Sequence, residues 1–312
     1  MSRKMRRLVA DYLVYLVVRS VVCVLQSLSM ESAYALANGL AHLAYCIDKR
    51  HRKIALENLR IAFGDQYSET ERRQIVLDVY KHFCQVIVEI AFIPRRLRTY
   101  TWRKYATMTA PAESIDLVVQ DRPKIVVTGH FGNWEMAGYL LAVIGIHPAS
   151  IARDLDNRFL HDFILRFRSW SGQRILSKKG DFDKIEQTLV DRGCLVSVGD
   201  QSAGERGCFV DFFGRPASTH KAIALLSREH DAPIVVGYAY RDRPGFHYNV
   251  STGLPIHPME FNEGQDLQGI TAEFTKQLET AVRIAPEQYF WLHNRWKHKP
   301  PAPRAKRMKQ AA

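Results

Sequence analysis

Cysteine is sparse in this chain and follows no pairing pattern. Cys23, Cys46, Cys84, Cys194 and Cys208 are scattered over 312 residues, odd in number and without a C-x-x-C step. That spacing fits neither a disulfide framework nor a zinc site and favours a reducing compartment. Phosphate-cradling loops are also missing: there is no P-loop and no G-x-G-x-x-G turn, so no nucleotide cofactor is implied. The absence of G-x-S-x-G argues against an α/β-hydrolase nucleophile. Zinc-finger and aromatic-basic strings are lacking too, so nucleic acid is not the expected partner. No internal repeat is present, and 46% hydrophobic residues are enough to bury a sizeable core.

Acid is outnumbered. Lys and Arg total 44 against 32 Asp and Glu, a net charge of +12. The basic residues cluster in Met1-Ser-Arg-Lys-Met-Arg-Arg7, in Lys49-Arg50-His51-Arg52-Lys53, in Arg95-Arg96-Leu97-Arg98, and in a tail after Lys297 that carries no acid. Such patches suit an anionic leaflet or an acidic protein partner. The segment 8–28, LVADYLVYLVVRSVVCVLQSL, favours the leaflet, because about 20 apolar residues can cross a bilayer as a helix. Asp11, Arg19 and Gln26 interrupt it, and a mid-bilayer Arg costs at least ~2.5 kcal/mol. The expectation is a retained anchor or an interfacial helix, with a core helix or a signal sequence as the alternatives.

Residues 31–47, 50–63 and 69–93 read as helices, the last stopping before Pro94. After about residue 120 the rhythm turns to strand, helix, strand. Strands are expected at 124–128, 149–153, 174–177, 194–198, 233–240 and 246–250, and helices at 133–144, 157–170, 181–191, 218–230 and 265–284. The alternation predicts an α/β fold with a mixed, mostly parallel central sheet flanked by helices, and an N-terminal helical membrane anchor or cap. The organisation expected is a basic N-terminus and anchor over 1–30, one α/β domain over 31–298, and a basic tail over 299–312.

Ligands gather at the carboxyl ends of parallel strands. His130 falls just past the strand ending at Thr128, in a turn containing Gly129 and Gly132, and Asn133 is a good helix N-cap. With His130 in the turn and Glu135 in the first helical turn, the chain could fold the carboxylate back onto the imidazole. It would fix the tautomer and support an imidazolium. No Ser or Cys nucleophile stands beside the pair, which points to a general base acting on a substrate hydroxyl. The bland alternative is a hydrogen-bonded turn histidine and a Glu favoured by the helix dipole. His220 and His230, ten apart, have no third partner at metal-ligand spacing.

His130-Phe-Gly-Asn-Trp-Glu135 is an H-x4-E motif that resembles that of the bacterial lipid A biosynthesis lauroyl/myristoyl acyltransferases. Four further stretches agree in the same order: Lys53-Ile-Ala-Leu-Glu-Asn-Leu-Arg60 with Ala62-Phe63-Gly64, then Gly199-Asp-Gln-Ser-Ala-Gly204, then Asp211-Phe-Phe-Gly-Arg-Pro-Ala217 with Thr219, and finally Pro286-Glu-Gln-Tyr-Phe-Trp-Leu-His293 with Arg295-Trp296-Lys297. Single motifs are weak; five in order are specific. The resemblance covers roughly residues 8–298.

It implies an enzyme on the cytoplasmic face of the inner membrane. The donor would be an acyl carrier protein or coenzyme A thioester, taken as co-substrate with no cofactor, and the acceptor a hydroxyl of a membrane lipid such as a lipid A precursor. By position His130 matches the base, Glu135 its partner, and Arg168 a basic residue that assists catalysis. This chain reads Arg166-Phe167-Arg168 where the family has R-G-R, and Ala152-Arg153-Asp154 where it has Y-R-P. Asn133, Arg153 and Asp200 are the expected substrate-side residues, Asp200 as a strand-end wall. Oxyanion donors would be Arg168 or the turn amides between Gly129 and Asn133. A glycerolipid enzyme fits less well, because H-x4-D and F-P-E-G are both missing. Other acceptors (a glycolipid, an aminolipid or a mannosylated phosphoinositide) and a non-catalytic membrane scaffold are the alternative readings.

Overall fold

The computed structural model describes residues 3–178 and 180–301, so most of the expected tail lies outside the described residues. Four helices come first: α1 (Arg3–Ser27), α2 (Met30–Ile47), α3 (Lys49–Phe63) and α4 (Glu69–Arg96). Ser29 caps α2, and Ser68 with Glu71 closes a capping box on α4, satisfying amide groups that a helix start leaves unpaired. α4 does not stop before Pro94. It continues to Arg96, and the Leu97 amide still reaches the Ile93 carbonyl. A proline so near a helix end forfeits little of the ladder.

The α/β part follows with β1 (Ala106–Met108), α5 (Ala112–Val119), β2 (Lys124–Thr128), α6 (Trp134–Val143), β3 (Ala149–Ala152), α7 (Arg158–Ser169), β4 (Arg174–Ser177), α8 (Phe182–Val190) and β5 (Cys194–Val198). After these come β6 (Cys208–Phe212), β7 (Arg215–Thr219), α9 (Ala222–Glu229), β8 (Ile234–Arg241), β9 (Tyr248–Thr252) and α10 (Asp266–Ile284). Seven strands form one sheet in the order β1-β9-β8-β2-β5-β3-β4. From β8 to β4 the pairings are parallel; β9 runs antiparallel to β8 and carries β1. The sheet is therefore mixed and mostly parallel. Every residue of β2 is buried, as expected of a central strand covered on both faces.

Ile185, Leu189, Ile223 and Phe274, from α8, α9 and α10, pack one face of the sheet. Met136 and Leu140 of α6 join Val88 and Phe92 of α4 in the core on the other side, which also takes in Ala33 and Ala37 of α2. The helix expected from 218 starts only at Ala222, because Ser218 and Thr219 end the β6–β7 hairpin. Phe213 and Gly214 turn that hairpin with φ of 56° and 72°, the positive values that a two-residue turn of matching twist requires. Phe213 is kept in this conformation by packing edge-on against Phe63, Phe212 and Trp291. α1 is long and apolar enough to cross a membrane and leaves most of its surface exposed.

Candidate active site

β2 and β5 are adjacent and parallel, with Thr128 opposite Val198. His130 and Asp200 each stand two residues beyond that matched pair, so the register alone delivers them to the same place. The His130 Nδ1 lies 2.8 Å from Asp200 Oδ1, and the His130 amide donates to Oδ2 at 2.8 Å. A carboxylate has no proton to give, so Nδ1 carries the hydrogen and Nε2 is left as the acceptor. Nε2 has no protein partner among the described residues, and His130 lines a cleft of 290 Å³. Trp134 and Phe290 wall the imidazole, their ring centroids 5.0 and 6.0 Å away.

Burial alone would disfavour the imidazolium. The charge and hydrogen bond of Asp200, with Glu135 contributing at longer range, outweigh it and hold the His130 pKa above the ordinary value. Asp200 is almost fully buried, which opposes its ionisation, yet His130, the two hydrogen bonds and the Arg295 charge keep its pKa below the usual carboxylate range.

The carboxylate on the imidazole is thus Asp200, and the juxtaposition of Glu135 with His130 is replaced by another. Glu135, in the first turn of α6, forms a two-pronged ion pair with Arg168 of α7; Arg168 Nε is 2.9 Å from Oε2, and Nη2 meets Oε1. The reason is geometric. α6 begins at Trp134 and carries Glu135 toward α7, while the sheet register has already supplied His130 with its partner. Both side chains still line the same cleft, together with Arg168 and Arg153. Two other expected substrate-side residues are not free to touch a substrate. Asn133 is completely buried, capping the Met136 amide and donating to Glu89 Oε2 at 2.7 Å. Asp200 is occupied by His130.

The five motifs converge on this turn. Phe290 donates its amide to the His130 carbonyl, and the Gly132 amide donates to the Gln288 carbonyl. His293 Nε2 accepts from the Ser202 amide, and Arg295 donates to the Ser218 carbonyl and Thr219 Oγ1. Asn58 of α3 donates to the carbonyls of Trp291 and His293. Gly132, with φ 57°, lies so close to β8 that a Cβ there would stand 1.8 Å from the Ala239 carbonyl oxygen. Sequence reasoning missed two supports. Glu89 is completely buried and holds Asn133, Tyr34, Tyr248 and Arg241 at 2.5–2.7 Å. His82 Nε2 donates to the Gly132 carbonyl at 3.0 Å; burial first, then the Arg241 charge, push its pKa down to about 3, so the ring stays neutral. An acid and a histidine on the apolar stripe of α4 were the available signals.

A second cavity, of 110 Å³ and almost wholly apolar, adjoins the cleft. Thr128, Trp134, Gly138 and Val196 line both, and Leu141, Val235 and Val250 enclose the far side. Away from the site, Glu186, Glu229 and His230 bring possible metal ligands within 4.8 Å of one another, with two of the three partly buried and Glu229 exposed.

The chain is 28% identical over 277 residues to the lipid A biosynthesis lauroyltransferase of Escherichia coli, spanning 86% of each. It is 25% identical over 290 residues to a lipid A biosynthesis acyltransferase of Haemophilus influenzae, spanning 90% of this chain and 88% of the other. A phosphatidylinositol mannoside acyltransferase of Mycolicibacterium smegmatis is 21% identical over 179 residues, 56% of this chain and 57% of that one. Among solved structures, the 1-acyl-sn-glycerophosphate acyltransferase of Thermotoga maritima matches with a TM-score of 0.37 at 14% identity, over 81% of this chain and 97% of the other. The family model of the bacterial lipid A biosynthesis acyltransferases matches residues 1–298, and the chain belongs to that family of membrane-associated acyltransferases.

Proposed function

We propose that this enzyme moves a fatty acyl chain from an acyl carrier protein or coenzyme A thioester to a hydroxyl of a membrane lipid, a lipid A precursor in the first instance. The observation that carries the reading is the His130–Asp200 pair, with Nε2 unpartnered among the described residues and His130 lining a cleft that adjoins an apolar chamber. His130 Nε2 takes the proton of the acceptor hydroxyl as its oxygen attacks the thioester carbonyl. The tetrahedral intermediate collapses, the C–S bond breaks, and the imidazolium returns the proton to the departing thiolate. Asp200 fixes the tautomer and stabilises the imidazolium while it exists.

The oxyanion needs a donor. The amides of His130, Gly132 and Asn133 already serve Asp200, Gln288 and Ala239, and Arg168 brings a positive charge to the cleft, which favours it over the turn. Glu135 then orients Arg168 rather than the histidine, and Arg153 in the cleft faces the acceptor. The acyl chain occupies the apolar chamber, whose depth sets the preferred length. The basic clusters suit an acidic carrier protein and an anionic leaflet, and α1 anchors the enzyme on the cytoplasmic face of the inner membrane.

The test is incubation of the detergent-purified protein with carrier protein loaded with different chains and a tetra-acylated lipid A precursor, read by mass spectrometry. A one-acyl mass gain, absent in His130→Ala, is expected. Transfer only to another lipid from a total membrane extract keeps the chemistry and changes the acceptor. Wild type and His130→Ala equally inert with every donor and lipid would overturn the catalytic reading.

A further inference from the structure

α1 is fastened to the body at two places, and a groove opens beside it between them. Toward its start, Asn157 Nδ2 donates to the Asp11 carbonyl at 2.8 Å, and Tyr12 and Tyr15 pack edgewise or tilted on Phe159 and Phe163. At its end, Gln26 Nε2 donates to the Ala91 carbonyl of α4 at 2.6 Å, and Arg95 reaches the Gln26 carbonyl. The groove between these fastenings has a volume of 600 Å³ and is walled by three helices. Val18 and Val22 of α1, Ile87 and Ile90 of α4, and Phe163 and Phe167 of α7 supply its walls, each pair three or four residues apart on its own helix. The lining is mainly apolar.

The groove does not end blindly. Glu135, Ile164 and Arg168 line both it and the cleft of His130, so the Arg168–Glu135 pair forms the sill between the two. Its charged lining is Arg19, Arg166, Arg168 and Glu135, and the one carboxylate is already engaged by Arg168. Among the described residues, Arg166 and Arg19 face it with local partners, the Asp162 carbonyl and the Tyr15 hydroxyl. An apolar trough with surplus positive charge, bordered by a helix whose outer face is apolar, matches an amphiphile with an anionic head arriving from a bilayer.

We infer that this groove is the acceptor's site: it takes one acyl chain of the anionic lipid to be acylated, inserted beside α1, while the lipid's hydroxyl crosses the Arg168–Glu135 sill to His130. The inference rests on the acyltransferase reading above. The donor chain is assigned to the other cavity because that cavity lies between α5, α6 and the sheet, adjoins the cleft of His130 and has no residue of α1 in its lining. The groove is the compartment that α1 itself borders. The two hydrocarbon chains thus approach His130 from different sides, which lets one hydroxyl and one thioester meet without exchanging places.

The experiment is photocrosslinking of the full-length wild type in detergent with phosphatidylglycerol bearing a benzophenone at one chain end. Peptides covering 18–26 and 160–170 should carry the adduct, and the yield should fall several-fold with the zwitterionic phosphatidylcholine analogue and in Arg166→Ala. Adducts confined to the outward residues Leu13, Val17 and Val24, or equal yields for both heads, would overturn the assignment. In the kinetic arm, Val22→Trp and Ile90→Trp should each shift the partition of thioester acyl groups from lipid toward water by tenfold or more, with donor chain-length preference retained. An unaltered partition in both would also overturn it. If the wild type acylates no lipid at all, the transferase reading fails while the crosslinks still judge the groove.

Discussion

The inner side of the turn 129–133 is dry and fully bonded. Glu89, 0% exposed, receives four hydrogen-bonding partners there, His82 fixes the Gly132 carbonyl, and Asn133 both caps α6 and donates to Glu89. The outer side is a cleft where His130, Glu135 and Arg168 keep partial exposure, and where one nitrogen of the imidazole has no partner among the described residues. Only a few residues separate the two sides along the chain. Their difference teaches that the motif divides its labour: Gly132 and Asn133 serve the scaffold, while His130 and Glu135 face the cleft. A buried polar network that is completely satisfied is rigid, and rigidity on one face permits an unsatisfied, reactive atom on the other.

The largest effect is expected on the open side. His130→Ala should lower transfer by about 10³-fold or more, with thermal stability in detergent little changed. Asp200→Asn is the sharper variant, because it keeps the shape and removes the charge; a kcat loss of about 10²–10⁴-fold is expected. It should also move the pH profile. As the proposed base His130 must be neutral to act, so activity is expected to fall as pH drops through its raised pKa. Removing Asp200 takes away the charge that raises it, and the acid limb of kcat/KM should shift to lower pH. An unshifted limb would show that His130 does not titrate in the reaction.

Breaking the inner side should cost stability before chemistry. Glu89→Leu strands Arg241 in the interior with its partner gone, a loss of about 3–5 kcal/mol. The double variant Glu89→Leu with Arg241→Met removes both charges and should recover much of it. A double variant no more stable than the single one would mean that the ion pair is not what holds this wall. Arg168→Met, on the outer side again, is expected to reduce kcat by about 10²-fold, or about 2.7 kcal/mol, if Arg168 bears the oxyanion. Glu135→Gln should cost less, since Arg168 stays in place; a larger loss in Glu135→Gln than in Arg168→Met would reverse their assigned roles.

Much of this architecture was legible before any coordinates. Period-two and period-3.6 patterning located most strands and helices, and the β2 run followed by His130 marked the end of the sheet where the cleft lies. The partner of His130 was not legible, because nothing local says that β2 and β5 are neighbours in matched register; Glu135 was simply the nearest carboxylate in the chain. Asp200 becomes readable only once strand order is known. The β6–β7 hairpin escaped because its turn is Phe213-Gly214, without the Asn or Asp that usually announces such a turn. The Glu89 wall escaped because a single acid on an apolar helix face gives no clue to partners 44, 152 and 159 residues away.

The mildest perturbation at neutral pH tests whether the inner wall depends on a neutral histidine. His82 is buried with its pKa pushed down to about 3, against about 6.5 for an unfolded-chain histidine. Below pH 6.5 the unfolded state takes up a proton that the folded state refuses until near pH 3, so stability must decline as pH falls through that window. The limit is about 1.4 kcal/mol per pH unit. His82→Gln keeps a donor for the Gly132 carbonyl and has nothing to titrate. Its melting temperature in detergent should lie near that of the wild type at pH 7.5 and above it at pH 5. Parallel curves for the two proteins would mean that the ring can be protonated in place. The inner side of the turn would then be wetter than a fully bonded wall allows, and the contrast with the open cleft would weaken accordingly.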